Sequence, residues 1–441
     1  MRGYFLLMIA IPWIAFALFK PHVGVLIWNW FSHMNPHLEV AGWVRTFPFL
    51  DGVAACTIVG MLIGRDKKSF PSHPIMLALV LYLIWVLFTT VAAFNVDLAI
   101  LKLIHFLKVL LFAFVAIIVM QSPMRLKAFV WVMALSLAYV SVKGGLFTIL
   151  TGGGARVQGA GGMIEDNNQL AMALSMFLPV AYWHFQHPPH KLLKWPMLGA
   201  TALTAISILG TQSRGGFVAF AAVMAMTLLK SKRKFAYIAL VVPLVIGAIT
   251  FMPDSWKERI QSTENATEDD SFVGRVSMWK FSTNLAGDNF LEGGGFDVFY
   301  DEKARELYMP DGFEPRAPHS IYFEVLAEHG YIGLILFLTI LFTGWYSAGS
   351  AAKRFQSYDQ TKWLADLCTA IQLSLVGYAV GGLTVNIATF DFFYHLLAVI
   401  VMANVVGEKI IIKGVTVDGQ DANVTTILEK WSPTRQSQKH T

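Results

Sequence analysis

The residues best suited to chemistry lie between Gly274 and Gly330, the one long hydrophilic stretch of an otherwise apolar chain. His319 follows a proline in Arg316-Ala317-Pro318-His319-Ser320. Proline fits the first helical position, so a helix is expected from Pro318 to about Glu328 with His319 in its first turn. The partial positive charge there disfavours imidazolium and attracts anions. Held neutral, His319 can accept a proton as a general base. The alternative is a histidine satisfied at an interfacial turn. Arg275 sits in Gly274-Arg275-Val276-Ser277-Met278-Trp279, where a second helix is expected to start, carrying Arg275, Trp279 and Lys280. It is either an exposed charge or a bidentate phosphate ligand, a task guanidinium performs better than ammonium. Glu324 and Glu328 fall on one helix face. They lie one to two turns beyond His319 and read as a solvated face.

Other candidates come from outside this stretch. Arg214 occupies the very short connection Gly210-Thr211-Gln212-Ser213-Arg214-Gly215-Gly216 between two apolar runs. A charge at the membrane boundary is costly unless it snorkels or pairs with an anion. Arg156 stands among Gly152-Gly153-Gly154 and Gly159 to Gly162, and glycines let backbone approach a ligand closely. That loop ends in Glu165-Asp166-Asn167-Asn168. Asp166 and Asn167 read either as helix N-caps or, for Asn167, as a substrate contact. Lys102, His105 and Lys108 share one helical side by spacing.

The elements that position these residues are membrane helices. Of 441 residues, 55% are hydrophobic and 14% charged, with a mean hydropathy of +0.54. Soluble domains carry roughly 25% charged residues. Apolar runs at 3–19, 46–64, 74–93, 98–120, 127–150, 168–184, 195–210, 215–229, 234–252, 331–349, 363–387 and 390–408 are each near the length that crosses a hydrocarbon core. The first has no small-residue cleavage site and reads as a helix, not a removable signal. The expected fold is an all-α polytopic membrane protein of about twelve transmembrane helices with one large, partly helical loop. Residues 1–252 form an N-terminal bundle of about nine helices, 253–330 the loop, 331–410 the C-terminal helices and 411–441 a polar tail expected to be disordered. Within the bundle, 20–45 reads as an interfacial or re-entrant segment, its Trp28, Trp30, Trp43, His22, His33 and His37 suited to a wet boundary.

Alternate short loops collect Lys and Arg, among them Arg65, Lys67, Lys68, Arg125, Lys127, Lys191, Lys194, Lys353 and Arg354. The positive-inside rule then puts both termini in the cytoplasm and the large loop on the far side. The net charge of +5 is spread over short clusters and says nothing of nucleic acid. Cys56 and Cys368 fall in apolar runs and read as buried thiols; no metal-type Cys/His spacing occurs. P-loop, HExxH and GxSxG motifs are absent, and the first outer loop holds Glu39 but no Asp-x-Asp. A metal site or other cofactor is not supported by these residues.

In order, Ser213-Arg214-Gly215, Gly274-Arg275-Val276-Ser277-Met278-Trp279, Asp288-Asn289-Phe290-Leu291-Glu292-Gly293-Gly294-Gly295-Phe296 and His319-Ser320 with Gly330 resemble the O-antigen ligase and polymerase superfamily. The likeness spans roughly residues 1–410. One companion motif is matched only in part, because Trp279 stands four residues after Arg275 where the family has leucine. Lys20-Pro21-His22-Val23-Gly24, Trp28-Asn29-Trp30, Met34-Asn35-Pro36-His37 and Glu165-Asp166-Asn167-Asn168 are similar to the exosortase-associated O-glycosylation ligase branch. The resemblance implies a glycosyltransferase that moves a glycan from undecaprenyl diphosphate to a lipid A–core, protein or glycan acceptor at the periplasmic face of the bacterial inner membrane, by an inverting, metal-independent route. His319 would activate the acceptor. Arg275 and Arg214, with Arg156, Arg316, Asn167 and Trp279 around them, would hold the diphosphate and glycan. A polymerase of the same superfamily differs in its acceptor. A lipid-linked glycan transporter would need paired halves with broken helices, and no such repeat stands out.

Overall fold

The computed structural model describes residues 2–64, 68–231, 270–310 and 316–417. Among them are fourteen α-helices: α1 (Arg2–Phe16), α2 (Pro21–Met34), α3 (Phe49–Ile63), α4 (Pro74–Val91), α5 (Val96–Val119), α6 (Pro123–Leu150), α7 (Asn167–Gln186), α8 (Lys194–Gly210), α9 (Arg214–Lys230), α10 (Asp270–Asp288), α11 (Glu302–Tyr308), α12 (Ile321–Gln356), α13 (Lys362–Gly381) and α14 (Asp391–Val417). Several begin where local chemistry says they should. The side chains of Asn95, Ser122, Asp166 and Ser213 each accept a hydrogen bond from a backbone N–H of the first turn. Pro74 and Pro123 fill the first helical position.

Eleven of the twelve expected spans fall on helices; the run at 234–252 lies outside the described residues. Seven helical segments are long and apolar enough to cross a membrane, so the protein is a multi-pass membrane protein. They are α4, α5, α6, α12 and α14, with α8 and α13 counted together with the short turns before them. Among the described residues the full set of twelve is not reached: α1 and α3 are apolar but only 15 residues each, α9 has 17, and α7, with 20 residues, is not among the helices apolar enough to span. The core centres on α14, where every residue from Phe392 to Ala403 is buried. α13 packs on α7, α9 and α12, and α6 and α7 both pack on α8.

The segment read as interfacial or re-entrant folds as α2 and a short turn at Trp43–Thr46, with Trp43 left 56% exposed. α2 has 14 residues, a length of roughly 21 Å that falls short of a bilayer core of roughly 30 Å. It packs against α3, α5 and α6, so Trp28 and His33 are only 4% and 3% exposed. Asn29 donates to the Phe129 carbonyl at 2.9 Å, satisfying its amide N–H inside the bundle. Cys368 is buried as expected, whereas Cys56 is half-buried.

The large loop carries a small core of its own, built from Met278, Phe281, Leu285, Val298, Phe299, Ala304 and Ala327. Its first described helix, α10, is already helical at Asp270, the first residue described there, so Arg275 lies within the helix and not at its start. α12 is broken at Gly330, which adopts φ +66°. The break frees three carbonyls, and all are taken up. Gly294 N–H donates to Ala327 at 2.7 Å, Gly295 N–H to Glu328 at 2.9 Å, and the Trp85 indole to His329 at 3.0 Å. A Cβ at Gly330 would stand 2.2 Å from the Leu291 carbonyl oxygen. Gly330→Ala is therefore expected to lower stability by more than about 1 kcal/mol, through both backbone strain and the clash. A thermal melt of the detergent-solubilised protein measures it, and an unchanged midpoint would contradict the role given to this break.

Candidate functional site

His319 is not in the first turn of α12. That helix begins at Ile321 with Ser320 as N-cap, and His319 precedes the cap in a left-handed conformation, φ +46°. Such a conformation is uncommon for a residue other than glycine and is maintained only where neighbours over-determine it. Here they do so on both sides. The Trp279 indole donates to the Pro318 carbonyl at 3.0 Å, and Ile321 N–H donates to the Gly382 carbonyl at 2.8 Å. Trp279 also stacks on Phe323, with ring centroids 5.0 Å apart and planes 10° from parallel. The aromatic side chain after Arg275 thus clamps the histidine segment.

Three candidates from the large loop come together. His319 feels the charges of Arg275 and Arg316, and Arg316 lies beside Gly274, where a Cβ would be 3.6 Å from its guanidinium. Partial burial of the imidazole, then Arg275, and more weakly Arg316, hold its pKa below the ordinary value of 6.5; Asp166 opposes them. The neutral state expected of a general base is thus favoured by desolvation and two guanidinium groups, not by a helix N-terminus. Ser320 Oγ is buried beside it with no hydrogen-bond partner among the described residues.

Asp166 was read only as a cap, yet it does two things. Its carboxylate accepts from the Asn168 N–H at 2.8 Å, and its charge bears on His319. Asn167 is 6% exposed and donates to the Thr211 carbonyl at 2.9 Å, so its amide holds one connection against another. Asn168 extends that seam, accepting from Ser213 Oγ at 2.7 Å. Ser213 in turn accepts from Gly216 N–H and caps α9, whose first residue is Arg214.

Arg214 is exposed at that helix start. The adjacent Gly215 packs against Thr384, with a hypothetical Cβ only 2.1 Å from its hydroxyl oxygen. Thr384 belongs to the turn whose Gly382 carbonyl fixes Ile321. The starts of α7, α9 and α12 are therefore linked in series, α9 and α12 through the Gly381–Thr384 turn. Arg156 is exposed on the loop whose Val157 N–H donates to the Gly210 carbonyl at 2.9 Å. Gln212 ties the same loop down through the Gly153 carbonyl at 3.0 Å. Arg156 thus belongs to the Arg214 side of the assembly, while Arg275 and Arg316 stand with His319.

Below the site lies a cluster that sequence spacing pointed to without resolving. Lys102 donates to Glu328 at 2.6 Å, Glu324 at 2.8 Å and Asp297 at 3.2 Å. Glu324 and Glu328 are 2% and 1% exposed, which overturns their reading as a solvated face. Each also accepts from backbone: Ala388 N–H donates to Glu324 Oε2, and Asp297 N–H to the Glu328 Oε1 that takes Lys102, both at 3.0 Å. The cluster ties α5 to the glycine turn, to the first part of α12 and to the α13–α14 connection. Lys108, the next lysine on that side of α5, pairs instead with Asp51 at 2.6 Å. Among the described residues, no three His, Cys, Asp or Glu side chains converge as a metal site.

Residues 199–338 match the model of the family described as O-Antigen ligase. That segment contains Arg214, Arg275, Trp279, Arg316, His319 and Gly330. Residues 1–189 match a family of unknown function (DUF5935). No curated protein matches the chain.

Proposed function

We propose that this membrane protein is a glycosyltransferase of the O-antigen ligase type, taking its donor from undecaprenyl diphosphate. Within that type, the Lys20-to-His37 motifs favour the exosortase-associated branch. The active site faces the periplasm of a bacterial inner membrane, with both termini cytoplasmic, a reading supported by the Lys and Arg asymmetry of the short loops. The observation that carries the proposal is the gathering of His319, Arg275 and Arg316 inside the segment that matches the ligase family.

His319 accepts the proton of an acceptor hydroxyl or amide as the acceptor atom bonds to the anomeric carbon. The bond from that carbon to the diphosphate breaks on the opposite face, so configuration inverts. Negative charge develops on the departing diphosphate, and preorganised guanidinium groups stabilise it. Arg275 and Arg316 fill that role beside His319, and Arg214 and Arg156 extend it across the joined loops.

Reconstitution of the full chain in liposomes with an undecaprenyl-diphosphate glycan tests the reading directly. Lipid A–core, protein and a second lipid-linked glycan serve as parallel acceptors. Covalent transfer to one of them is the expected result and names the acceptor. Passage of the lipid-linked glycan across the bilayer without transfer would make the protein a transporter. Because arginines supply the counter-charge, turnover is expected to persist in excess chelator; activity lost there and restored by a divalent ion would refute the metal-free step.

A further inference from the structure

A cleft in the side of the bundle lies away from the large loop. It has a volume of about 360 Å³ and runs between α1, α2 and α6, with Ile9, Trp13, Leu26, Met34 and Leu135 in its walls. None of the lining residues is ionisable. Two of its polar groups are already used within the wall. The Trp30 indole donates to Met34 Sδ at 2.9 Å, and Ser136 Oγ donates to the Val132 carbonyl at 2.8 Å. The cleft opens outward, since Trp13 and Leu135 are 52% and 54% exposed. α6 is long and apolar enough to span a membrane, so an outward-facing apolar cleft on it meets hydrocarbon.

A charged group stands over one end of the cleft. Val132, Ser136, Tyr139 and Lys143 succeed one another on α6 at steps of three or four, so they share one face of the helix. On α2 the wall ends at Met34, and Glu39 follows in the chain. Glu39 accepts from the Tyr139 hydroxyl at 2.7 Å and from Lys143 at 3.1 Å. The Lys143 ammonium also lies 5.6 Å from the centre of the Tyr139 ring. An ammonium has three donors, and the Lys143 side chain remains 66% exposed. From Pro123, where α6 begins, to Lys143 the helix rises about 30 Å, the thickness of a hydrocarbon core. The cleft is thus at acyl-chain depth and Lys143 at the level of headgroups.

These features together define what fits. The walls offer contact to an apolar chain and little to a sugar or an ion, and the one charge at the mouth that seeks an anion is an exposed ammonium. We infer that the cleft holds one phospholipid, with an acyl chain along its walls and the phosphate on Lys143. The phosphate meets the ammonium in a charge-assisted hydrogen bond. Tyr139 sits at the boundary where amphipathic rings are favoured, and Glu39 fixes both side chains at the mouth. An exposed ion pair contributes little to folding by itself, so the Lys143–Glu39 contact is not required to hold α2 on α6. The inference stands apart from the transferase reading, since it requires no reaction.

The full chain in mild detergent is titrated with phosphatidylglycerol, and bound lipid is counted by native mass spectrometry. The wild type is expected to retain a single lipid after weaker adducts are stripped. Leu135→Trp narrows the cleft, and Lys143→Glu reverses the charge above it. Both residues are more than half exposed, so both variants should fold and melt near the wild type. Each is expected to weaken retention by roughly tenfold or more, the scale of a lost hydrogen bond to a charged group. Should Leu135→Trp not fold, Lys143→Glu decides the matter. Diacylglycerol, which lacks the phosphate, is the second probe. It should bind the wild type more weakly than phosphatidylglycerol does, and bind Lys143→Glu no worse than the wild type. Equal retention of phosphatidylglycerol by the wild type and a folded variant overturns the inference, as does diacylglycerol bound as tightly as phosphatidylglycerol. Displacement of phosphatidylglycerol by undecaprenyl phosphate at equal concentration also overturns it, by giving the cleft to the donor lipid.

Discussion

His319→Asn and His319→Ala are both expected to abolish glycan transfer, by at least the factor of about 10² to 10⁴ that a positioned general base contributes. The asparagine variant is the sharper test. His319 holds φ +46°, a conformation asparagine adopts readily and alanine resists. Asparagine therefore removes the base while the Trp279 and Gly382 anchors on either side stay in place. Both variants should insert in the membrane and elute as the wild type does; full turnover in the asparagine variant would sink the assignment. The pH profile supplies a second readout. A general base works while neutral, so the rate falls as pH drops through its pKa. Burial and the two arginines lower that pKa, so the acidic limb belongs below the ordinary value of 6.5. Asp166 raises the pKa, so Asp166→Asn moves the limb to still lower pH. Asparagine is as good an N-cap as aspartate, which leaves α7 intact. A limb that moves upward, or stays put, would separate Asp166 from the base.

Much of the helical frame was legible in the sequence, because helix starts are written locally. Asn95, Ser122, Asp166 and Ser213 cap helices within a few residues of themselves. The conformation of His319 was not legible. Pro318 argues locally for a helix start, but the chain there obeys an indole from α10 and a carbonyl from the α13–α14 turn. No local pattern reports bonds of that range. Glu324 and Glu328 illustrate the same limit. Carboxylates four residues apart look alike on a solvated face and on a buried one, and what distinguishes them is Lys102, 222 residues from Glu324. Trp28 and His33 suit a wet interface by type, and their burial against neighbouring helices could not be read from residue type alone. For the site residues, the sequence placed Arg275, Arg316 and His319 near one another along the chain. It could not show that Asp166 would join them, since its cap role already accounted for it.

Lys102→Met is expected to destabilise the protein strongly. It leaves Glu324 and Glu328, both almost fully buried, and the partly exposed Asp297 without their shared cation. Removing one partner of a buried ion pair typically destabilises by about 3–5 kcal/mol, because the uncompensated charge stays in a poorly solvating interior. That is a large share of the total stability of an ordinary domain. The expected result is a sharply lowered melting midpoint, with little monodisperse protein in detergent and no transfer activity. The reason for the loss is testable by compensation. In Lys102→Met with Glu324→Gln and Glu328→Gln, the buried negative charge goes with the positive one, and the amide oxygens can still accept from Ala388 and Asp297 N–H. Asp297, at 29% exposure, can turn to water. The triple variant should recover most of the melting midpoint. If it instead melts as low as Lys102→Met, packing of the lysine stem governs this region and not charge balance. Recovery of folding together with transfer would mean that the cluster holds the large loop on the bundle as a strut. Recovery of folding without transfer would mean that its charge also orients the start of α12, one turn from His319.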